Sequence, residues 1–346
     1  MAGLSWVATC ALAAPAAETG GTNLFGPVSD SDIHIAGVVI GDDGRPVAAA
    51  KLQFRGFINT SDGSQYGGQP GRFVQEPVVS DARGRFQFLC KSNVDLIHAM
   101  VSAPGAAPRP VQFQPGRDYV VRMNEGVRVT GRLVAGSRPV PGAVVMLQAE
   151  SPPAGEFYVS DKFVTDSNGG FSLPNQPAEK GLKLFATMDS LKGKGALSPK
   201  PFTSGKNHAT TDLGDLTLQP AFQVAGQILL ADGKPVPARS GLLLDRQGVS
   251  DFTPFKLEAD GRFTFPSVPA ESVSLIAHLP GYRFSRRNPS LDWLNNQIVG
   301  RVDHDLTNLT LELEPGEFHY TPNHDDAPEG TDLQPQDKPL RGVPAG

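Results

Sequence analysis

The sequence predicts an all-β chain made of three tandem β-sandwich modules with a disordered C-terminal tail. Two short sequence signatures each occur three times, and the strand glycines of the first lie 94 and 95 residues apart. Glycine and proline account for 38 and 31 of the 346 residues, which disfavours long helices and favours short strands joined by turns. No stretch keeps a helical period beyond about two turns. Regular short strands separated by turn signals are typical of a β-sandwich.

The first signature is a strand that contains a single glycine and is followed by a tight turn. The strand glycines are Gly37, Gly131 and Gly226. A glycine inside a strand indicates a bulge or the close approach of another group to the backbone. The turn that follows contains a glycine beside Asp or Ser, as in Asp43-Gly44, because glycine tolerates positive φ. Each module is therefore predicted to open with a strand, a turn and a second strand.

The second signature is an acidic residue, a glycine three positions later and a phenylalanine two positions after that. Its copies are Asp81–Phe86, Asp166–Phe171 and Glu258–Phe263. We expect the acidic side chain to accept hydrogen bonds from the backbone N–H groups of a turn, and the glycine to adopt a left-handed conformation. The phenylalanine then begins a strand and enters the core. The two signatures together place the modules at residues 32–126, 127–221 and 222–317.

The two ends of the chain have different compositions. Residues 1–20 contain a short apolar run followed by small residues that fit an A-x-A cleavage pattern, so we interpret them as a signal peptide or export segment. No Lys or Arg precedes Arg45, so the usual basic region is missing, and a start further upstream is the alternative. Residues 318–346 are rich in Pro, Asp, Gly and Gln, which predicts the disordered tail. The expected location is extracytoplasmic: periplasmic, cell-surface or secreted.

The two signatures together resemble the carboxypeptidase regulatory-like domain. The third copy carries the turn as Asp232-Gly233-Lys234-Pro235-Val236-Pro237-Ala238, and the likeness extends over all three copies. The resemblance implies a seven-stranded transthyretin-like sandwich, of a kind appended to many bacterial extracytoplasmic proteins. The third copy, with Arg301–Thr310 before Glu314-Pro315-Gly316, also resembles the sensor portion of BlaR-type membrane metallopeptidases.

Motifs that would support catalysis are missing from the sequence. None of the seven histidines is followed by the glutamate of His-x-x-Glu or His-Glu-x-x-His, and neither Gly-x-Ser-x-Gly nor Gly-x-x-x-x-Gly-Lys occurs. We therefore predict no catalytic site, no metal and no cofactor. A net charge of −5 argues against nucleic-acid binding, and no apolar run is long enough for a transmembrane helix. Cys90, inside an apolar strand, is expected to be a buried small hydrophobe.

One local cluster combines basic and aromatic side chains. Its members are Tyr282, Arg283, Arg286, Arg287 and Trp293. Such a cluster stacks on sugar rings or binds an anion. The alternative is a surface loop whose tryptophan covers the end of the sandwich.

The sequence accordingly predicts a non-catalytic structural or interaction protein. Its loops and edge strands would contact a protein partner or a cell-envelope polysaccharide. One alternative is a carbohydrate-binding protein, although only five Tyr and two Trp are present to form an aromatic face. The other alternative is the sensor portion of a BlaR-like metallopeptidase, whose protease domain would be encoded upstream.

Overall fold

A computed structural model describes residues 33–59, 65–67, 77–150, 158–317 and 338–343. The described residues form strands and turns, and their only helix is the single-turn 3-10 helix η1, Asp189–Leu191. The predicted all-β class is confirmed. Within these ranges no helix has the length and apolar character needed to cross a membrane. The predicted export segment at residues 1–20 lies outside the described residues.

Twenty-five strands are described, in three successive stretches. The first stretch contains β1 Ile33–Ile40, β2 Lys51–Asn59, β3 Gln65–Gly67, β4 Val78–Val79, β5 Arg85–Cys90, β6 Val94–Ser102, β7 Arg109–Phe113 and β8 Asp118–Arg122. The second contains β9 Val127–Ala135, β10 Arg138–Pro139, β11 Val144–Ala149, β12 Phe163–Val164, β13 Gly170–Gln176, β14 Gly181–Ala186, β15 Lys200–Thr203 and β16 Thr210–Thr217. The third contains β17 Phe222–Leu230, β18 Gly241–Arg246, β19 Phe252–Lys256, β20 Arg262–Val268, β21 Ser272–His278, β22 Tyr282–Phe284, β23 Leu291–Asp292, β24 Gln297–Arg301 and β25 Leu306–Pro315.

The same strand pairing recurs in each stretch. The opening strand lies between an antiparallel neighbour and a parallel one, which is the last strand of the stretch: β5-β1-β8, β13-β9-β16 and β20-β17-β25. A second sheet is centred on an antiparallel pair: β2 with β6, β11 with β14 and β18 with β21. The repeat detected in the sequence is therefore a repeat of topology.

The described residues separate into two compact units. The first unit holds the residues up to Pro104 together with Arg109–Met123, and the second holds Gly105–Pro108 and the residues from Asn124 onward. The second unit thus contains the stretches called modules 2 and 3 below. The division into three modules, at the boundaries given above, stays a prediction.

The two sequence signatures meet as cross-strand partners. The register pairs Gly37 with Phe86 and Gly131 with Phe171, and the third copy pairs in the same way. A Cβ atom on Gly131 would lie 2.5 Å from Cζ of Phe171, because the ring lies directly over the glycine. In the third copy the atom that a Cβ would meet first is the carbonyl oxygen of Leu309. The predicted close approach is confirmed, and it explains why glycine occurs at this point of each opening strand.

The signature turn has the expected capping geometry in two copies and a different one in the third. Asp81 Oδ1 accepts hydrogen bonds from the backbone N–H groups of residues 83 and 85 at 2.8 Å, and Asp166 does the same in module 2. In module 3 the carboxylate of Glu258 pairs with Lys256 at 3.0 Å, and Asp260 caps the turn instead. The longer side chain of Glu258 carries its carboxylate beyond the N–H groups of the turn.

The core of module 3 is formed by side chains from both of its sheets. Val224 and Leu311 come from one sheet and Leu244 and Ile298 from the other, and all four are buried. In the first unit the rings of Phe54 on β2 and Phe88 on β5 contact each other in the same way, with centroids 4.9 Å apart. Cys90 is fully buried, as predicted.

The C-terminal segment differs from the predicted disordered tail. Lys338–Val343 lies against module 3, and Leu340 is 2% exposed within its core. The composition of the tail concealed this contact, because one apolar side chain with a few backbone hydrogen bonds leaves no periodic pattern. The rest of the predicted tail, residues 318–337 and 344–346, lies outside the described residues.

Candidate functional site

The predicted basic and aromatic cluster lies in module 3, on β22 and the loop that follows it, with Trp293 in the turn between β23 and β24. Two of its arginines face carboxylates of β25: Arg283 Nη2 lies 2.9 Å from Glu314 Oε1, and Arg287 Nη1 lies 3.5 Å from Glu312 Oε2. These pairs form because β22 and β25 are antiparallel neighbours that place residues 283 and 314 directly opposite each other. Two of the three arginines of the cluster are thus paired with carboxylates of the same chain.

The remaining members of the cluster have separate surroundings. The hydroxyl of Tyr282 donates a hydrogen bond to Asp232 Oδ2 at 3.0 Å. The hydrogen bond from Lys234 to the same carboxylate lowers the pKa of Asp232. Arg286 is exposed, and no ion pair joins it to any residue that the structure describes. Trp293 is half-buried, and its indole Nε1 is inaccessible and has no hydrogen-bond partner among the described residues.

The loop that carries the arginines is held tightly to β25. The amide nitrogen of Asn288 donates to the carbonyl oxygens of Ser285 and Glu312, both at 2.8 Å. Asn296 accepts a hydrogen bond from the backbone N–H of Phe284 at 2.9 Å. Side chains of the chain itself thus fix the loop to β25 and to β22.

A second site, which the sequence analysis missed, lies at the junction of modules 2 and 3. Its centre is Arg246, the last residue of β18, whose side chain is only 1% exposed. The guanidinium donates to both carboxylate oxygens of Glu271 and to Asp251 Oδ2 at 3.1 Å. It also donates to two carbonyl oxygens of module 2, those of Ala186 at 2.9 Å and Leu197 at 3.0 Å. A single side chain thus joins the two modules.

Other contacts at the junction surround the arginine. The backbone N–H of Met188 donates to Asp251 Oδ2 at 2.9 Å, and its side chain belongs to the core of module 3. The backbone N–H groups of Gly193 and Ser250 donate to side chains of the opposite module, at 3.2 and 2.7 Å. The short helix η1 and its flanking turns, together with Gln148 on β11, therefore form the module 2 side of the interface.

The electrostatics of the junction favour the charged arginine. Burial lowers the pKa of Arg246, but hydrogen bonds and charge from Glu271 and Asp251 more than offset this and raise it. A buried guanidinium is tolerated when its N–H groups have acceptors, and here five hydrogen bonds are formed. The sequence offered a signal for this position. Leu242, Leu244 and Arg246 alternate along β18, so the period of two points all three side chains inward.

The neighbouring Asp245 gives the junction a pH dependence that can be measured. Burial, together with the charge of Asp251, raises the pKa of Asp245 to about 6. Because this folded-state pKa lies above the unfolded value of about 3.9, the ionised carboxylate destabilises the fold above pH about 6. The penalty disappears as the pH falls from about 6 toward about 4.

We expect Asp245→Asn to raise the free energy of unfolding by about 1 kcal/mol at pH 7, a value discounted for the partial exposure of the side chain. The gain should vanish near pH 4. Urea unfolding of both proteins at several pH values measures it. Asp118→Asn, at an exposed position of β8, serves as the control and should show little change. A gain at Asp245 that is independent of pH would contradict the prediction.

Among the described residues, no group of three or more His, Cys, Asp or Glu is placed to hold a metal ion.

No protein-family model matches the sequence, and no curated protein matches it. Solved structures with some likeness include the Streptococcal ancillary pilin, which is 11% identical over 81% of this chain and 98% of that chain, with a TM-score of 0.26. The minor pilin of Streptococcus agalactiae is 12% identical over 57% of this chain and 100% of that chain, with a TM-score of 0.30.

The Bacillus anthracis TIE protein is also similar in part. It is 11% identical over 83% of this chain, with a TM-score of 0.23, and this chain spans 51% of its length. Likeness of this degree carries no argument about function.

Proposed function

We propose that this chain is a non-catalytic structural or interaction protein of the extracytoplasmic space, built from carboxypeptidase regulatory-like sandwiches. Its sheet edges and loops contact a protein partner or a cell-envelope polysaccharide. The single observation that carries the proposal is the junction of modules 2 and 3, where Arg246 is buried between them. The junction fixes one sandwich against the next.

The composition of the junction supports a structural role. Burying a guanidinium with two carboxylates is costly unless every polar atom is paired, so such networks favour one geometry over others. At this junction the acceptors come from both modules, and the network therefore forms only when the modules meet in one arrangement. Such a junction suits a protein that presents a surface at a fixed spacing.

The arginine cluster of module 3 supports the same interpretation. Arg283 and Arg287 have carboxylate partners on β25, so their charge stabilises the fold locally instead of standing open to a polyanion. An interaction site on this face would depend on shape and on sheet edges more than on positive charge.

The test is whether modules 2 and 3 unfold together. We expect peptides around Leu184 and Leu244, one from each module, to become deuterated at the same denaturant concentration in the intact chain, because the junction couples their opening. Hydrogen exchange with mass spectrometry at increasing guanidinium concentrations measures this. Opening of module 2 at a clearly lower concentration than module 3 would contradict the structural role.

A second candidate function, carbohydrate binding, is favoured by one observation only. Trp293 is only partly buried. Aromatic rings at the surface stack on sugars. Glycan-array binding that Trp293→Ala abolishes would overturn the proposal in favour of this candidate.

A further inference from the structure

The segment Lys338–Val343 fills a groove at one edge of module 3, which we call the acceptor groove. On one side the groove is bounded by the end of β24. The backbone N–H of Arg301 donates to the carbonyl oxygen of Lys338 at 2.7 Å, and the N–H of Leu340 donates back to Arg301 at 3.0 Å. The segment and the end of β24 run parallel to each other here, with Arg301 beside Pro339. The segment therefore extends the sheet by pairing with β24 at a point that β23 does not reach.

The other side of the groove belongs to the second sheet. The backbone N–H of Val343 donates to the carbonyl oxygen of Thr310 on β25 at 2.7 Å. Between these two contacts, the N–H of Arg341 donates to the hydroxyl of Ser290 at 2.9 Å. Leu340 points into the core shared by the two sheets. The segment thus closes the corner of the sandwich by bonding to both sheets.

Two glycines make this close fit possible, one on each partner. A Cβ atom on Gly300 of β24 would lie 2.5 Å from the Cα atom of Leu340, and its three nearest atoms all belong to the segment. A Cβ atom on Gly342 would lie 2.6 Å from both the N and O atoms of Thr310. Neither glycine has a positive φ, so close approach and not backbone conformation requires glycine at these positions.

The groove would be an open sheet edge without the segment. β23 pairs with β24 only at residues 297 and 298, which leaves Gly300 and Arg301 without a strand neighbour on the side where the segment binds. Exposed edges with unpaired N–H and C=O groups readily accept another strand. Every contact described above is non-covalent and would be identical for a segment supplied by another molecule.

We propose that the acceptor groove binds the Lys338–Val343 segment of a second copy of this chain, so that copies associate by exchanging the segment. Residues 316–337 connect β25 to the segment, and a chain of that length reaches at most about 75 Å. Exchange of an identical element preserves every contact, which makes it a low-cost route to association. The chain's own segment competes through its high effective concentration, so exchange depends on protein concentration.

This inference deepens the proposed interaction role, because it names a second copy as the partner, and it rests on that role for its biological relevance. The two can fail separately. The structural role is tested by the joint unfolding of modules 2 and 3, whereas exchange is tested by the association of two full-length variants.

The test uses two full-length variants with complementary defects. Gly300→Ala blocks the groove but leaves the segment available, and Gly342→Ala blocks the segment but leaves the groove available. We expect each variant alone to sediment as a monomer and a mixture of the two to form a 1:1 complex, because the intact segment of one enters the intact groove of the other. Sedimentation velocity measures this at matched concentrations.

Hydrogen exchange provides the control for the fold and for the position of the segment. In each variant alone, the amides of Leu340 and Val343 should lose protection, whereas the strands of module 3 keep theirs. Gly248→Ala is the matched control, since a Cβ there meets no atom within 4 Å, and it should change neither measurement. Displaced segments in two folded variants that stay monomeric when mixed would overturn the proposal. If the segment stayed protected in both variants, the close approach at Gly300 and Gly342, on which the proposal depends, would be wrong.

Discussion

Arg246→Ala is expected to lower the free energy of unfolding of the second unit by about 3–5 kcal/mol. The substitution removes all five hydrogen bonds of the guanidinium and leaves Asp251 and Glu271 near the junction without their cation. Buried carboxylates without a partner are costly, and the carbonyl oxygens of Ala186 and Leu197 lose their donors as well. Urea unfolding at neutral pH measures the loss.

The control for this prediction is an arginine of the same module at the surface. Arg262→Ala removes a side chain that is 80% exposed and lies 3.8 Å from its carboxylate partner, so a change of less than about 0.5 kcal/mol is expected. A loss at Arg246 no larger than that at Arg262 would mean that the buried network does not hold the junction. In addition, modules 2 and 3 should unfold at different urea concentrations in the Arg246→Ala variant.

Phe171→Ala is expected to cost about 3–5 kcal/mol, since it removes a buried ring that packs in the core and covers a glycine of the opposite strand. Gly131→Ala is expected to cost about 1–3 kcal/mol, because the added methyl group would overlap Cζ of Phe171. Both values are measured by equilibrium unfolding of the full chain.

The double variant distinguishes this explanation from general strand instability. With the ring removed, the nearest remaining atom is the backbone carbonyl oxygen of Gly214 at 3.2 Å, so Gly131→Ala should cost clearly less in the Phe171→Ala background than in the wild-type chain. Strictly additive losses would show that the ring and the glycine do not interact. Such a result would also remove the physical link between the two repeated signatures.

Much of the fold could be predicted because its signals are local and are repeated. The strand glycines and the acidic turns each appear three times, and turn chemistry depends only on neighbouring residues. The sequence did not reveal that the two signatures contact each other, because cross-strand register is a long-range property. The capping difference at Glu258 was missed although its cause is local: Asp260, two residues later, accepts the hydrogen bond from the backbone N–H of Arg262.

The sites were harder to predict than the strands. The cluster of Arg283, Arg286, Arg287 and Trp293 was found by its composition, yet its carboxylate partners come from β25, which is distant in the sequence. The Arg246 junction was missed although the alternation along β18 points the side chain inward, because a charged residue at a strand end is usually solvated. The segment at Leu340 was concealed by polar neighbours.

The parallel pairing of first and last strands has a mechanical consequence. In module 3, β17 and β25 run side by side in the same direction, so the chain enters at one end of the pair and leaves at the other. Tension applied through the two ends of the module would therefore pull these strands lengthwise past each other and load the hydrogen bonds between them simultaneously. The same arrangement occurs for β1 with β8 and for β9 with β16. Tension would therefore load the first and last strands of each stretch in shear. Strands that are peeled apart would instead break one hydrogen bond at a time.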